Sequence, residues 1–174
     1  MSIAIIRQCR ALLWLGTLAL ASTVNAAPQI QQLYLVRHSE KAGDSKDPPL
    51  SACGSAQAAA LATLLGQLDI PTLYHSGYQR TKQTAIASLR EGRSLQQYDA
   101  KNLAALTAQL QSTGANALVV GHSNTIPQLA TLLSKQTAPE LAEQDYGRIY
   151  QLSRAGELWS MQILQLPKPA ECQR

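Results

Sequence analysis

The chain has 174 residues, 45% of them hydrophobic and 15% charged, with a formal net charge of +4. That length and balance describe one globular domain with a real core and exclude a disordered chain. No basic stripe is interleaved with aromatics, so nucleic acid is not an expected partner. No Cys/His cluster has metal-ligand spacing, so neither a metal nor another cofactor is expected.

The first 26 residues read as a secretory signal peptide. Arg7 and Arg10 form a basic start, residues 11–21 are a short apolar run, and Val24-Asn25-Ala26 supplies small residues before a cleavage point after Ala26. The apolar run is shorter than the ~20 residues a spanning helix needs. Cleavage removes two of 15 basic residues and no acidic one, leaving 13 against 11. The folded domain is then 27–174, and its expected location is the periplasm or the outside of the cell. Cys53 and Cys172 remain after cleavage. An exported chain meets an oxidising compartment, where an even count favours a disulfide. The alternative is a small buried helix residue at 53 and a frayed end at 172.

Along the mature chain, residues 32–36 read as a first strand. A polar, Pro-containing loop follows over 42–50. Ser51 is placed to cap an amphipathic helix over 52–68. Residues 72–75 read as a second strand, 78–90 as a second helix stopped by Gly92, and 94–98 as a short third strand. Residues 102–111 read as a third helix closed by Gly114, and 117–120 as a fourth strand. Pro127 suits the first turn of a helix running to about Ser134. Two strands over 148–153 and 157–165 flank Ala155-Gly156 as a hairpin. Strand–helix alternation ending in a hairpin predicts a three-layer α/β fold. Its sheet is mostly parallel, with helices on both faces and a C-terminal edge hairpin.

The chemistry sits at strand ends. The run Leu35-Val36 stops in Arg37-His38, and Leu118-Val119-Val120-Gly121 stops in His122-Ser123. The second strand, ending at His75, leads to Arg80. Crevices outside the carboxyl ends of strands are where open α/β sheets bind ligands. Two guanidiniums hold phosphoryl oxygens bidentately without titrating, and a neutral imidazole is a competent nucleophile towards phosphorus. Arg37, Arg80 and His122 are therefore the expected phosphate clamp and His38 the expected nucleophile. His75 reads as a structural or rim residue.

These motifs resemble the histidine phosphatase superfamily, with its phosphoglycerate-mutase-like fold, over nearly the whole mature chain. Leu35-Val36-Arg37-His38 is similar to the strand in which the Arg binds phosphate and the His becomes phosphorylated. Pro48-Pro49-Leu50-Ser51 with Gly54 and Gln57 resembles the stretch that opens the first helix. Ser76 with Arg80-Thr81 and Gln83-Thr84-Ala85 resembles the segment of the second phosphate-binding Arg. Val120-Gly121-His122-Ser123-Asn124-Thr125 resembles the segment of the second His. The chain departs from the pattern in two places. Ser39 stands where Gly is frequent, and neither general-acid position holds an acid: Ser123 stands at one and Ala105 at the other. Asp99 is the candidate proton donor, with Glu40 as a fallback. Ser39, Glu40, Lys41 and Asn124 are candidate substrate-binding residues, and the loop over 41–47 is expected at the pocket mouth.

The signal-peptide reading implies export, the lack of a ligand cluster implies metal independence, and the resemblance implies a phosphatase acting through a phosphohistidine on His38. Its partner would be a phosphorylated small molecule or a phosphorylated component of the cell envelope. Lacking a positioned acid, it is expected to favour activated phosphates. Mutase activity is not expected from the compact loops. The competing expectation is a catalytically weak phosphate-binding protein of the envelope.

Overall fold

The computed structural model describes residues 30–173. The signal-peptide reading over 1–26 lies outside the described residues. Ten regular elements follow in chain order: β1 (Gln31–Arg37), α1 (Ala52–Leu64), β2 (Thr72–His75), α2 (Gln79–Ile86), β3 (Ser94–Gln97), α3 (Leu103–Thr113), β4 (Ala117–Gly121), α4 (Thr125–Ser134), β5 (Arg148–Ala155) and β6 (Leu158–Gln165). A 3-10 turn, Ala170–Cys172, ends the tail. The strands form one six-stranded sheet in the order β3-β2-β4-β1-β5-β6. The first four in that order are parallel, and β5 and β6 add an antiparallel edge. This is the expected three-layer α/β fold.

Side chains of a strand alternate between the two faces of its sheet, and both faces here are apolar. Leu33 and Leu35 of β1 join Val119 of β4 and Tyr150 of β5 under α3 and α4. Tyr34 and Val36 join Leu118 and Val120 on the other face, against Leu61 and Leu65 and against Ala85 of α2. Burying β1 and β4 on both sides forces their carboxyl ends, Arg37-His38 and Gly121-His122, to emerge side by side at one edge. Their register, Arg37 opposite Gly121, completes the placement.

Helix starts follow local chemistry. Ser51 accepts a hydrogen bond from the Gly54 N–H at 2.9 Å, and Asn102 accepts one from Ala105 N–H at 3.1 Å. Gly114 closes α3 in the left-handed conformation, with φ of 62°. Two helices are shorter than their composition predicts. α1 stops at Leu64 and not Leu68, and α2 stops at Ile86 and not Arg90. The reason is tertiary. Arg93 donates to the carbonyls of Leu65 and Leu68, and Arg90 to that of Leu68, so these guanidiniums satisfy the carbonyls beyond the end of α1. After Ile86 the chain tightens through Ser88 N–H to Ala85 and Leu89 N–H to Ile86, which carries Arg90 and Arg93 back towards α1.

Cys53 and Cys172 are joined in a disulfide, with Cα atoms 4.8 Å apart. It ties the first turn of α1 to the C-terminal 3-10 turn. Among the described residues, no helix is long and apolar enough to cross a membrane.

Candidate active site

Arg37, His38, Arg80 and His122 meet in one cleft of about 250 Å³ at the carboxyl edge of the parallel strands. Lys41, Ser45, Lys46, Pro48, Ser123, Asn124 and Glu143 complete its wall. A larger cleft, of about 380 Å³, lies between α1 and the tail; Lys168 is the only cation among the residues lining it.

His38 is buried, with its backbone N–H donating to the Gly121 carbonyl at 2.9 Å. Its Nδ1 lies 2.8 Å from the Ser39 carbonyl oxygen. A carbonyl can only accept, so Nδ1 carries the proton and Nε2 is left with a free lone pair. Burial, followed by the charges of Arg37, Arg80 and His122, pushes its pKa down to about 3. The ring is neutral at ordinary pH. His122 stands edge-on to it, with ring centroids 5.4 Å apart. Burial and then Arg80 and Arg37 push His122 down to about 4, with Glu143 opposing. Its backbone N–H donates to Thr125 Oγ1 at 2.9 Å, and its Nε2 meets Ser76 Oγ at 2.8 Å. Gly121 is required here: a Cβ would lie 2.8 Å from both Thr125 Oγ1 and the Tyr98 hydroxyl.

Both arginines have buried N–H groups left over. Arg37 Nη1 donates to the carbonyls of Ala142 and Glu143 at 2.9 and 2.5 Å, and Nη2 to the Glu143 carboxylate at 3.0 Å. Arg37 Nε, Arg80 Nε and Arg80 Nη1 are buried without a hydrogen-bond partner among the described residues. Asp47 approaches Arg80 Nη1 only to 3.6 Å, an ion pair too long for a hydrogen bond. Tyr146 covers the Arg37 guanidinium at 4.4 Å and Tyr78 covers that of Arg80 at 4.5 Å. These faces orient the cations while leaving their edges available. Unpaired buried donors of this kind are costly unless an anion meets them.

The other expected residues divide. Lys41 and Asn124 line the cleft, Lys41 with its ammonium on Asp44 at 2.8 Å. Ser39 does not. It is buried beneath the cleft, its N–H donating to Thr84 Oγ1 at 3.0 Å and its carbonyl taken by His38. Glu40 is also turned away. Its carboxylate accepts from Ser51 Oγ at 2.7 Å and its N–H donates to Gln57 Oε1 at 2.9 Å, so it serves the start of α1. Asp99 is exposed outside the cleft and accepts from the Lys101 N–H at 2.9 Å, as a turn residue before α3. His75 is buried and accepts from Gly77 N–H, a structural role.

The residue that sequence reasoning missed is Glu143. Its Oε1 accepts from Ser123 Oγ at 2.7 Å while Oε2 pairs with Arg37. The Ser123 hydrogen bond, then Arg37, holds its pKa below the usual carboxylate range. It lies in a loop without periodicity. The usable signal was topological: β5 runs antiparallel to β1, with Val36 opposite Ile149, so the residues before Arg148 must lie beside Arg37.

A family model described as histidine phosphatase superfamily (branch 1) matches residues 33–97, which hold Arg37, His38 and Arg80. No curated protein matches the chain at the sequence level. Solved structures share the fold. The protein histidine phosphatase SixA, complexed with tungstate, has a TM-score of 0.64 at 20% identity, over 78% of this chain and 97% of that one. The mycobacterial glucosyl-3-phosphoglycerate phosphatase, complexed with VO3, has a TM-score of 0.65 at 17% identity, over 79% and 100%. The phosphoglycerate mutase of Bacillus anthracis has a TM-score of 0.62 at 15% identity, over 79% and 93%. The histidine phosphatase family model thus covers the Arg-His strand and the second Arg, and the solved structures share the fold over most of the chain.

Proposed function

We propose that the chain is an exported, metal-independent phosphatase that works through a phosphohistidine on His38. One observation carries the reading: the neutral His38, with its Nε2 lone pair free, shares a cleft with unpartnered buried N–H groups of Arg37 and Arg80. A phosphoryl group entering the cleft meets donors from both guanidiniums, while Nε2 attacks phosphorus in line. His122 lies beside His38, suited to hold a phosphoryl oxygen as charge develops. Water then attacks the phosphohistidine and returns the electron pair to Nε2. Two similar structures carry tungstate and VO3, oxyanions that resemble phosphate, which agrees with an anion pocket.

Four cations, Arg37, Lys41, Lys46 and Arg80, against one carboxylate favour a strongly anionic substrate in a small cleft. A phosphorylated small molecule or a phosphorylated envelope component fits. Export is supported by the Cys53–Cys172 bond, because disulfides persist in oxidising compartments.

Purified mature protein incubated with 4-nitrophenyl phosphate tests the reading. Turnover, inhibition by vanadate, survival in EDTA and acid-labile phosphate on His38 are the expected results. His38→Ala should abolish both turnover and labelling, and Arg80→Ala should raise KM as well as lower kcat. Binding of phosphate without turnover would make the chain a phosphate-binding protein of the envelope. Loss of activity in chelator, restored by added metal, would overturn the metal-free mechanism.

A further inference from the structure

We infer that Glu143 is the proton donor of this site, delivered by the loop before β5 and held in place by Ser123. The inference rests on the phosphatase reading above and extends it to a residue outside every motif of the sequence. Glu143 is the only carboxylate among the residues lining the cleft. Its two oxygens are both positioned, Oε1 by Ser123 Oγ at 2.7 Å and Oε2 by Arg37 Nη2 at 3.0 Å. The side chain as a whole is 78% exposed, so the carboxylate can follow a substrate without unfolding the loop. The loop itself is anchored, because Arg37 Nη1 binds the carbonyls of Ala142 and Glu143.

Guanidinium geometry makes the placement useful. Nε–H and one Nη2 hydrogen point along the same edge of the fork. Glu143 holds the Nη2 end of that edge, and the Nε end is buried and unpartnered. A phosphoryl group taking Nε therefore has the Glu143 carboxylate as its neighbour. Free protein holds that carboxylate ionised, through the Ser123 hydrogen bond first and the Arg37 charge second. A phosphate ester monoanion brings a further negative charge to the same guanidinium, and the repulsion is relieved when Glu143 takes up a proton. The substrate monoanion supplies it.

The step balances. The His38 Nε2–P bond forms and the P–O bond to the leaving group breaks. The leaving oxygen keeps the electron pair and takes the proton from Glu143. In the second half, water attacks phosphorus, gives its proton to the Glu143 carboxylate, and the P–N pair returns to His38. The sequence expectation of a site without a positioned carboxyl is replaced by one with the carboxyl brought from another strand's approach.

The experiment compares wild type, Glu143→Gln, Ser123→Ala and Asp99→Asn on 4-nitrophenyl phosphate and on an alkyl phosphate such as glycerol phosphate. An alkoxide needs a proton to leave, and general acid catalysis supplies about 10²–10⁴-fold. Glu143→Gln should lose roughly 100-fold or more on the alkyl ester, and less than about threefold on the aryl ester, whose leaving group needs little help. Ser123→Ala should fall between, on the alkyl ester alone, and Asp99→Asn should match wild type on both. Equal losses on both esters, or a gain in phosphate affinity with unchanged rate, overturn the proposal: Glu143 would then merely compete for Arg37. Absence of phosphohistidine in the wild type overturns the phosphatase reading and this proposal together.

Discussion

His38 and His122 show how burial sets chemistry at the level of one residue. Both rings are pushed well below the ordinary imidazole value of 6.5, His38 to about 3 and His122 to about 4, mainly by burial beside two guanidiniums. The effect keeps His38 neutral, and it costs stability in acid. An unfolded chain takes up protons on these histidines below pH 6.5, whereas the folded chain cannot until pH 4 to 3. The stabilising contribution is therefore present above pH 6.5 and declines as pH falls through that window. Each ring contributes at most about 1.4 kcal/mol per pH unit. The melting temperature of free protein should fall between pH 7 and pH 5, and the slope should flatten in a His38→Gln, His122→Gln double variant. Identical slopes would show that other groups carry the acid sensitivity. At this scale the four residues that meet in the cleft, Arg37, His38, Arg80 and His122, were legible in the sequence, because each stands at a strand end or just beyond a strand. Asp99, Glu40 and Ser39 were misassigned because proximity in sequence to a motif says nothing about which way a loop side chain turns.

At the level of elements, α1 is fitted against the chain leaving His38. A Cβ at Gly54 would collide with the backbone carbonyl of Glu40, two residues beyond His38. The same segment is held by Ser51 N–H on the Glu40 carbonyl at 3.0 Å and by Gln57 on the Glu40 N–H. Helix propensity alone favours Ala over Gly by about 0.5–1 kcal/mol. The collision is with backbone and cannot be relieved by a rotamer change, so it should win. Gly54→Ala is expected to destabilise by roughly 1–3 kcal/mol, the range for overpacking, and to lower kcat by displacing His38. Urea denaturation beside a Ser55→Ala control measures it, and a stabilised Gly54→Ala would refute the fit. The cap of α1 was readable as Ser51, whereas Asn102, read as the first residue of the third helix, is its cap. The ends of α1 and α2 were not readable, since Arg90 and Arg93 reach the Leu65 and Leu68 carbonyls only after the helices pack.

For the whole molecule, the Cys53–Cys172 bond links residues 119 apart, so it closes nearly the whole described fold from α1 to the tail. The chain-entropy model gives about 4–5 kcal/mol for a loop of that length, often less in practice. Thiol counting on unreduced, denatured mature protein should find none free. Cys53→Ser with Cys172→Ser should lower the denaturant midpoint by an amount within that figure while leaving the aryl phosphatase rate near wild type, because neither cysteine lines the phosphate cleft. Two free thiols, or an unchanged midpoint, would remove the bridge from the account of stability.

The sequence by itself determined the alternation of strands and helices, the apolar runs buried on both faces, and the polar residues at their ends. Those are local patterns, and burial leaves them one arrangement. What tertiary structure decided is which loops return to that edge. Asp99 turns to its own Lys101, Glu40 to the start of α1, and Glu143 arrives beside Arg37 because β5 pairs antiparallel with β1. Strand pairing across more than 100 residues has no local signature, so the carboxylate in the cleft became visible only when the sheet was assembled.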